Sequence, residues 1–161
     1  MTRSVRHSVA LAAIAVFALT ACSGDDEPTT VAVSHISGTG EALVTTEGRA
    51  LYTTEQDAGG KPACVTESCV AMWVPLTVPA DQDPTGPESV SGRLGTVARP
   101  DGARQVTLDS KPLYTFTLDK DTGKATGNNL SDTFDGTTFH WQVASPGGAA
   151  PTSEPENPGG Y

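Results

Sequence analysis

Apolar and polar residues alternate in several stretches of the middle of the chain. The clearest run is residues 137–143, Thr-Thr-Phe-His-Trp-Gln-Val. Because successive side chains of a β-strand point to opposite faces, this run predicts a strand with Phe139, Trp141 and Val143 facing the core. His140 lies between two of these positions and is expected to point outward.

Shorter runs of the same kind predict further strands. Residues 95–99 and 104–108 flank Pro-Asp-Gly, a turn sequence, and so predict a β-hairpin. Residues 31–35 also alternate, while β-branched and aromatic residues dominate 51–54 and 113–118. Together these runs predict an all-β fold.

One block of sequence occurs twice. Residues 51–57 read Leu-Tyr-Thr-Thr-Glu-Gln-Asp, and residues 113–119 read Leu-Tyr-Thr-Phe-Thr-Leu-Asp, at an offset of 62. An ordered repeat of this kind indicates duplication of a structural unit. We therefore expect two related antiparallel β units, at about residues 41–78 and 94–144, packed as one small domain. The predicted core is drawn from both units: Leu51, Tyr52, Trp73, Leu76, Val106, Leu113, Tyr114, Phe116, Phe139 and Trp141.

The start of the chain has the pattern of a targeting signal. Residues 1–8 carry two arginines and no acidic residue, and residues 9–19 are an unbroken apolar run. Eleven residues of helix are too short to cross a hydrocarbon core of about 30 Å. A basic start, a short apolar segment and then small residues are typical of a secretory signal peptide, which is predicted at residues 1–21.

The next motif, Leu-Thr-Ala-Cys ending at Cys22, resembles the lipobox of bacterial lipoproteins. The resemblance implies that Cys22 is lipidated and becomes the first residue of the mature chain. Two acyl chains hold a protein stably on a membrane, so the expected location is the extracytoplasmic face of the cell membrane. The alternative is an ordinary secreted protein with a chance cysteine near its cleavage site.

Polar segments flank the predicted domain. Residues 22–30 comprise the lipidated cysteine and a flexible tether without a residue to bury. Residues 145–161 are rich in proline and glycine, and we expect them to be disordered. The β-rich domain between them covers residues 31–144, enough for one modest core.

Composition and charge exclude several classes of function. The chain has 161 residues with 10 basic and 19 acidic side chains, and its formal net charge is −9. Nucleic acid is therefore not an expected partner, because its recognition needs a basic face. The sequence has no motif for nucleotide binding, a zinc protease or a serine hydrolase. We expect no enzymatic activity and no cofactor, and the expected partner is an unknown envelope protein or small ligand.

Two further cysteines are expected to form a disulfide. Cys64 and Cys69 lie in a chain predicted to be exported, and paired cysteines usually join in an oxidising compartment. The bond would pin a short helical turn predicted at residues 67–73. The alternative function is metal or haem binding, or a redox role in envelope electron transfer or metal handling. His140 and His35 are its candidate ligands, since imidazole binds copper and haem iron, although a lone exposed histidine is usually an ordinary surface residue.

Each copy of the repeated block ends in an aspartate. Asp57 and Asp119 would serve acid–base chemistry if both carboxylates lay in one cleft. The simpler interpretation is that each caps the turn after its strand by accepting hydrogen bonds from backbone N–H groups. Tyr52 and Tyr114 are expected to be core aromatics whose hydroxyls reach the surface.

These motifs together resemble one family. Two copies of Leu-Tyr-x-x-x-x-Asp, a cysteine pair before Trp-x-Pro-Leu, and Arg-Pro-Asp-Gly-x-x-Gln-Val-Thr look like the bacterial secreted-repeat lipoproteins, which are described by a Tyr-x-(Phe/Trp/Tyr)-x-x-Asp motif and have no known function. The resemblance covers about residues 41–144. Tyr114, Phe116 and Asp119 match the full motif, whereas Thr54 replaces the aromatic residue in the first copy. The resemblance implies an extracytoplasmic location and a repeat architecture, but no activity.

Overall fold

A computed structural model describes residues 29–148 of the chain. The predicted signal peptide at 1–21, Cys22, most of the predicted tether and residues 149–161 of the predicted tail lie outside these residues. The strands, in chain order, are β1 (Val31–Ile36), β2 (Gly40–Thr45), β3 (Leu51–Thr54), β4 (Trp73–Pro75), β5 (Thr77–Val78), β6 (Leu94–Ala98), β7 (Arg104–Leu108), β8 (Lys111–Pro112), β9 (Tyr114–Phe116), β10 (Ser131–Phe134) and β11 (Thr137–Val143).

Helix is scarce in this part of the chain. It consists of α1 (Glu67–Val70) and a single 3₁₀ turn at Ala58–Gly60. No helix between residues 29 and 148 is long and apolar enough to cross a membrane. The predicted all-β fold is therefore confirmed.

The strands form three antiparallel sheets. β1 and β2 make a two-stranded hairpin, and five strands pair in the order β10-β11-β3-β9-β4. The third sheet has the order β5-β7-β6, with β8 also paired to β7. The predicted hairpin is β6 and β7, in which Leu94 lies opposite Leu108 and Ala98 opposite Arg104.

The two repeats interleave in the five-stranded sheet. β3 of the first repeat pairs with β9 of the second, and Tyr52 lies directly opposite Tyr114. Outside this central pair, β4 of the first repeat adds to β9, and β11 of the second repeat adds to β3. The tryptophan strand of each repeat thus pairs with the tyrosine strand of the other.

The registers of these outer pairs match. Trp73 lies opposite Phe116 on one side, and Trp141 lies opposite Thr54 on the other. Phe116 and Thr54 are equivalent positions of the repeated block. The sheet therefore has an approximate two-fold axis between the two tyrosines, and the prediction of two related β units packed as one small domain is confirmed.

Two apolar clusters fill the interior. The larger is aromatic: Trp73 stacks on Trp141 with ring centroids 3.9 Å apart, Phe116 stacks on Trp73 and Phe139 on Trp141. The smaller cluster contains Val31, Leu43, Leu51, Val106, Leu108, Leu113 and Ala144. Of the predicted core residues, Leu76 is only partly buried, because it follows edge strand β4 and packs on the outside of the smaller cluster.

Two predicted elements are shorter than expected. The helical turn ends at Val70 instead of Trp73, because Trp73 begins β4 and pairs with Phe116 in the sheet. The predicted strand 113–118 ends at Phe116, where the backbone N–H of Asp119 donates to the Phe116 carbonyl and closes a turn. In both cases a long-range pairing or a turn bond overrides local preference.

Candidate functional site

The tyrosines and aspartates of the repeated block meet across the boundary between the repeats. The hydroxyl of Tyr52 donates to Oδ2 of Asp119 at 2.5 Å, and the hydroxyl of Tyr114 donates to Oδ1 of Asp57 at 3.4 Å. We call these contacts the cross-repeat Tyr–Asp pairs. All four residues are buried, so the expectation that the tyrosine hydroxyls reach the surface is wrong. Each hydroxyl has a carboxylate partner inside the protein, which removes its need for water.

The pair formed by Tyr52 and Asp119 is the tighter one. Oδ1 of Asp119 accepts hydrogen bonds from the backbone N–H of Thr126 at 2.8 Å and from its hydroxyl at 2.6 Å. The N–H of Gly127 donates to the hydroxyl oxygen of Tyr52 at 3.3 Å. Both carboxylate oxygens of Asp119 are thus bonded, and they tie the loop after β9 to the first repeat.

The pair formed by Tyr114 and Asp57 is less complete. Oδ1 of Asp57 accepts the backbone N–H of Ala63 at 2.8 Å as well as the tyrosine hydroxyl. Oδ2 is buried and has no hydrogen-bond partner among the residues described. Burial raises the pKa of Asp57 to about 6, although the Ala63 N–H, the Tyr114 hydroxyl and the nearby Arg99 charge act in the opposite direction.

The tyrosines remain proton donors in this environment. Burial raises the pKa of Tyr52 well above its usual value, and the hydrogen bond to Asp119 raises it further. Burial also raises the pKa of Tyr114, helped by the charge of Asp57. The neutral hydroxyl is therefore the stable form on both sides of the two-fold axis.

A buried arginine extends the network at Asp57. Arg99 donates from Nη1 to Oε1 of Gln105 at 2.6 Å and from Nη2 to the Cys64 carbonyl at 2.8 Å. Gln105 in turn donates to the Leu113 carbonyl at 2.8 Å. Sequence reasoning did not single out Arg99 or Gln105 as site residues. Both belong to the Arg-Pro-Asp-Gly-x-x-Gln motif, and this motif is the feature of the sequence that could have pointed to them.

The predicted disulfide is confirmed. Cys64 and Cys69 are joined, and both are buried against the aromatic cluster. The bond spans the start of α1, and the Cys64 carbonyl is the acceptor for Arg99. The disulfide loop is therefore fixed to the second repeat through Arg99.

The two candidate histidines, His35 and His140, lie on different sheets and are exposed. Nδ1 of His140 on β11 is 2.8 Å from Oγ of Ser131, its cross-strand neighbour on β10. Nδ1 of His35 on β1 is 3.9 Å from a carboxylate oxygen of Glu41. Within residues 29–148, no three histidine, cysteine, aspartate or glutamate side chains are grouped so as to hold a metal ion.

A shallow groove of about 320 Å³ opens beside His140. It lies between the end of β3 and the start of β10, and is lined by Glu55, Asn129, Leu130, Ser131, His140, Trp141 and Gln142. The structure thus brings a serine, a histidine and a carboxylate to one surface, which sequence reasoning did not find. The sequence separation of these residues explains why, since only the pairing of β10, β11 and β3 brings them together.

One segment of the chain matches a known protein family. Residues 95–137 match the sequence model of a family described as a secreted repeat of unknown function. The matched segment lies in the second predicted repeat and includes Arg99, Gln105, Tyr114 and Asp119. Searches of curated proteins and of solved structures find no match.

Proposed function

We propose, on the premise that residues 95–137 match the secreted repeat family, that the protein is a lipid-anchored lipoprotein of the cell envelope. It acts there as a non-enzymatic binding or structural module. Cys22 carries the lipid, residues 23–30 form the tether, and the β domain faces away from the cytoplasm. Its partner is an envelope protein or a small ligand.

The main support for this proposal is that the side chains of the repeat motif bond to one another in the buried interior. The hydroxyls of Tyr52 and Tyr114 are bonded to Asp119 and Asp57 across the repeat boundary, and Asp119 has both oxygens bonded. A buried, hydrogen-bonded network of this kind fixes one arrangement of the elements that it joins. The motif therefore has a structural role. The partner binds instead at an exposed surface such as the groove beside His140.

Three further features support the proposed location. The family is described as secreted, and the bonded cysteines suit an oxidising compartment. The lipobox-like sequence at Cys22 follows a basic start and a short apolar run, as in an exported lipoprotein. Two acyl chains there would give stable anchoring without a membrane-spanning helix.

Metabolic labelling with a fatty acid tests the anchor. We expect the wild-type protein to take up label and to fractionate with membranes, and Cys22→Ala to lose both properties. A double variant, Cys64→Ala with Cys69→Ala, is the matched control and should keep both. Release of unlabelled wild-type protein into the medium would overturn the proposed anchor.

Native mass spectrometry tests the choice between a module and the alternative metal, haem or redox role. The secreted protein is offered copper, zinc, calcium and haem. We expect a disulfide-bonded protein without a stoichiometric adduct. An adduct that is lost in His140→Ala and kept in His35→Ala would replace the proposal with the metal or haem alternative.

A further inference from the structure

The contact between the two repeats has the form of a two-fold dimer interface within one chain. We call residues 31–78, with β1 to β5, the first half, and residues 94–144, with β6 to β11, the second half. Four strand pairings join one half to the other: β3 with β9, β4 with β9, β11 with β3, and β5 with β7. In a two-fold interface the same surface serves on both sides, which is the arrangement here.

Neither half completes its core alone. Both cross-repeat Tyr–Asp pairs and the stack of Trp73 on Trp141 take one residue from each half. The indole Nε1 of Trp73 also donates to Asp132 of the second half at 2.9 Å. A separated half would expose its tryptophan. Its tyrosine, which is buried in the whole protein, would lose the aspartate partner that the other half provides. The inward face of each half therefore needs a complementary half.

A short exposed hinge connects the halves. Upstream, the Thr85 carbonyl accepts the N–H of Val31 and so stays with the first half. Downstream, the N–H groups of Ser91 and Gly92 donate to the Pro146 carbonyl and so stay with the second half. Residues 86–89 between these contacts are all exposed.

We propose that this protein exchanges halves between copies, so that the first half of one chain closes against the second half of another. The partner is a second copy of this chain, and the interaction surface is the inward face of each half. Every pairing across the two-fold axis forms again in the exchanged dimer. Only the hinge at 86–89 changes conformation, which is the condition under which domain exchange is inexpensive. Exchange of this kind needs no lipid anchor.

Cysteines placed on opposite strands distinguish exchange from other association. Val74 on β4 lies directly opposite Thr115 on β9, one in each half. Directly paired strand positions are close enough for a disulfide. We therefore co-express one full chain carrying Val74→Cys with another carrying Thr115→Cys, both secreted into an oxidising compartment.

Exchange predicts a covalent dimer that runs at twice the monomer mass on a non-reducing gel and is lost on reduction. Each variant expressed alone is the first control, since an exchanged dimer of one variant has no second cysteine opposite. Val74→Cys with Glu47→Cys is the second control, because both positions lie in the first half. The proposal would be overturned if the controls formed as much covalent dimer as the pair of Val74→Cys and Thr115→Cys. It would also be overturned if that pair formed no covalent dimer.

A change of hinge length gives an independent readout by light scattering. Deleting residues 87–89 strains closure within one chain and should give a folded protein of twice the chain mass, whereas adding six Gly and Ser residues eases closure and should raise the fraction of monomer. A folded monomer after the deletion would contradict the proposal. If the deletion variant does not fold, the cysteine pair on the natural hinge decides.

Discussion

Tyr52 and Asp119 are 67 residues apart in the chain, and the hydroxyl of the first donates to the carboxylate of the second at 2.5 Å in the buried interior. Asp119 also holds the N–H and hydroxyl of Thr126. One contact therefore ties a strand of the first repeat to a loop of the second. The equivalent contact between Tyr114 and Asp57 is longer, so the two sides of the two-fold axis differ in strength.

Removing each tyrosine hydroxyl measures this difference. Tyr52→Phe leaves Oδ2 of Asp119 buried without its partner, and should lower the free energy of unfolding by about 1–3 kcal/mol. Tyr114→Phe removes the longer contact of 3.4 Å and should cost less. Urea denaturation of both variants provides the comparison. Equal losses would show that the two pairs are equivalent in solution.

The carboxyl of Asp57 should make stability depend on pH in an unusual direction. Its pKa is raised to about 6 in the folded protein from an ordinary value near 3.8. The folded state then binds the proton more tightly than the unfolded state, so the contribution of Asp57 to stability rises as pH falls from above 6 to below 4. A shift of about two pKa units corresponds to roughly 3 kcal/mol.

Asp57→Asn tests that direction, because the amide does not titrate. We expect the difference in unfolding free energy between wild type and variant to favour the wild type progressively as pH falls from 7 to 4. Denaturation curves across this range supply the measurement. A difference that stays constant, or one that moves the other way, would contradict the raised pKa.

The stacked tryptophans offer a matched pair of substitutions. Nε1 of Trp73 donates to Asp132 at 2.9 Å, whereas Nε1 of Trp141 is buried and has no hydrogen-bond partner within residues 29–148. Trp73→Phe loses packing and a hydrogen bond, while Trp141→Phe loses packing and removes an unpaired donor. Thermal unfolding should show a larger loss for Trp73→Phe, by about 1 kcal/mol. A larger loss for Trp141→Phe than for Trp73→Phe would contradict the hydrogen bond between Trp73 and Asp132.

The disulfide should contribute modestly to stability. Cys64 and Cys69 close a loop of six residues, which in the chain-entropy model is worth about 2 kcal/mol. The double variant Cys64→Ala with Cys69→Ala should therefore stay folded with a lower urea midpoint. Because both cysteines are buried, the native bond should also resist mild reductant. Rapid reduction of the folded protein would instead support a redox role.

Features of the fold that have a local signal could be predicted from the sequence. The alternation of residues 137–143 matches β11, and Pro-Asp-Gly lies at the turn between β6 and β7. The repeat was visible as two copies of one block, and Cys64 and Cys69 were the available pair. These features depend on neighbouring residues or on simple counting. They can therefore be predicted without knowing which strands pair.

The rest of the site depends on how the repeats pair. Trp73 continues a helical pattern in the sequence, and only its partner Phe116 makes it part of a strand. Tyr52 and Asp119 belong to different copies of the block, and nothing local indicates that copies exchange partners. β10, with the sequence Ser-Asp-Thr-Phe, has too few apolar residues to predict a strand, and it pairs because β11 lies beside it.

A double-mutant cycle between Tyr52 and Asp119 measures whether the repeat motif joins the two repeats. Tyr52→Phe, Asp119→Asn and the double variant are compared with wild type by urea denaturation. Tyr52→Phe and Glu88→Gln form a control cycle, because Glu88 is exposed whereas Tyr52 is buried. We predict a coupling of about 1–3 kcal/mol in the first cycle and less than about 0.5 kcal/mol in the control. A coupling below about 0.5 kcal/mol between Tyr52 and Asp119 would mean that the motif does not join the repeats, and the structural role proposed for it would be wrong.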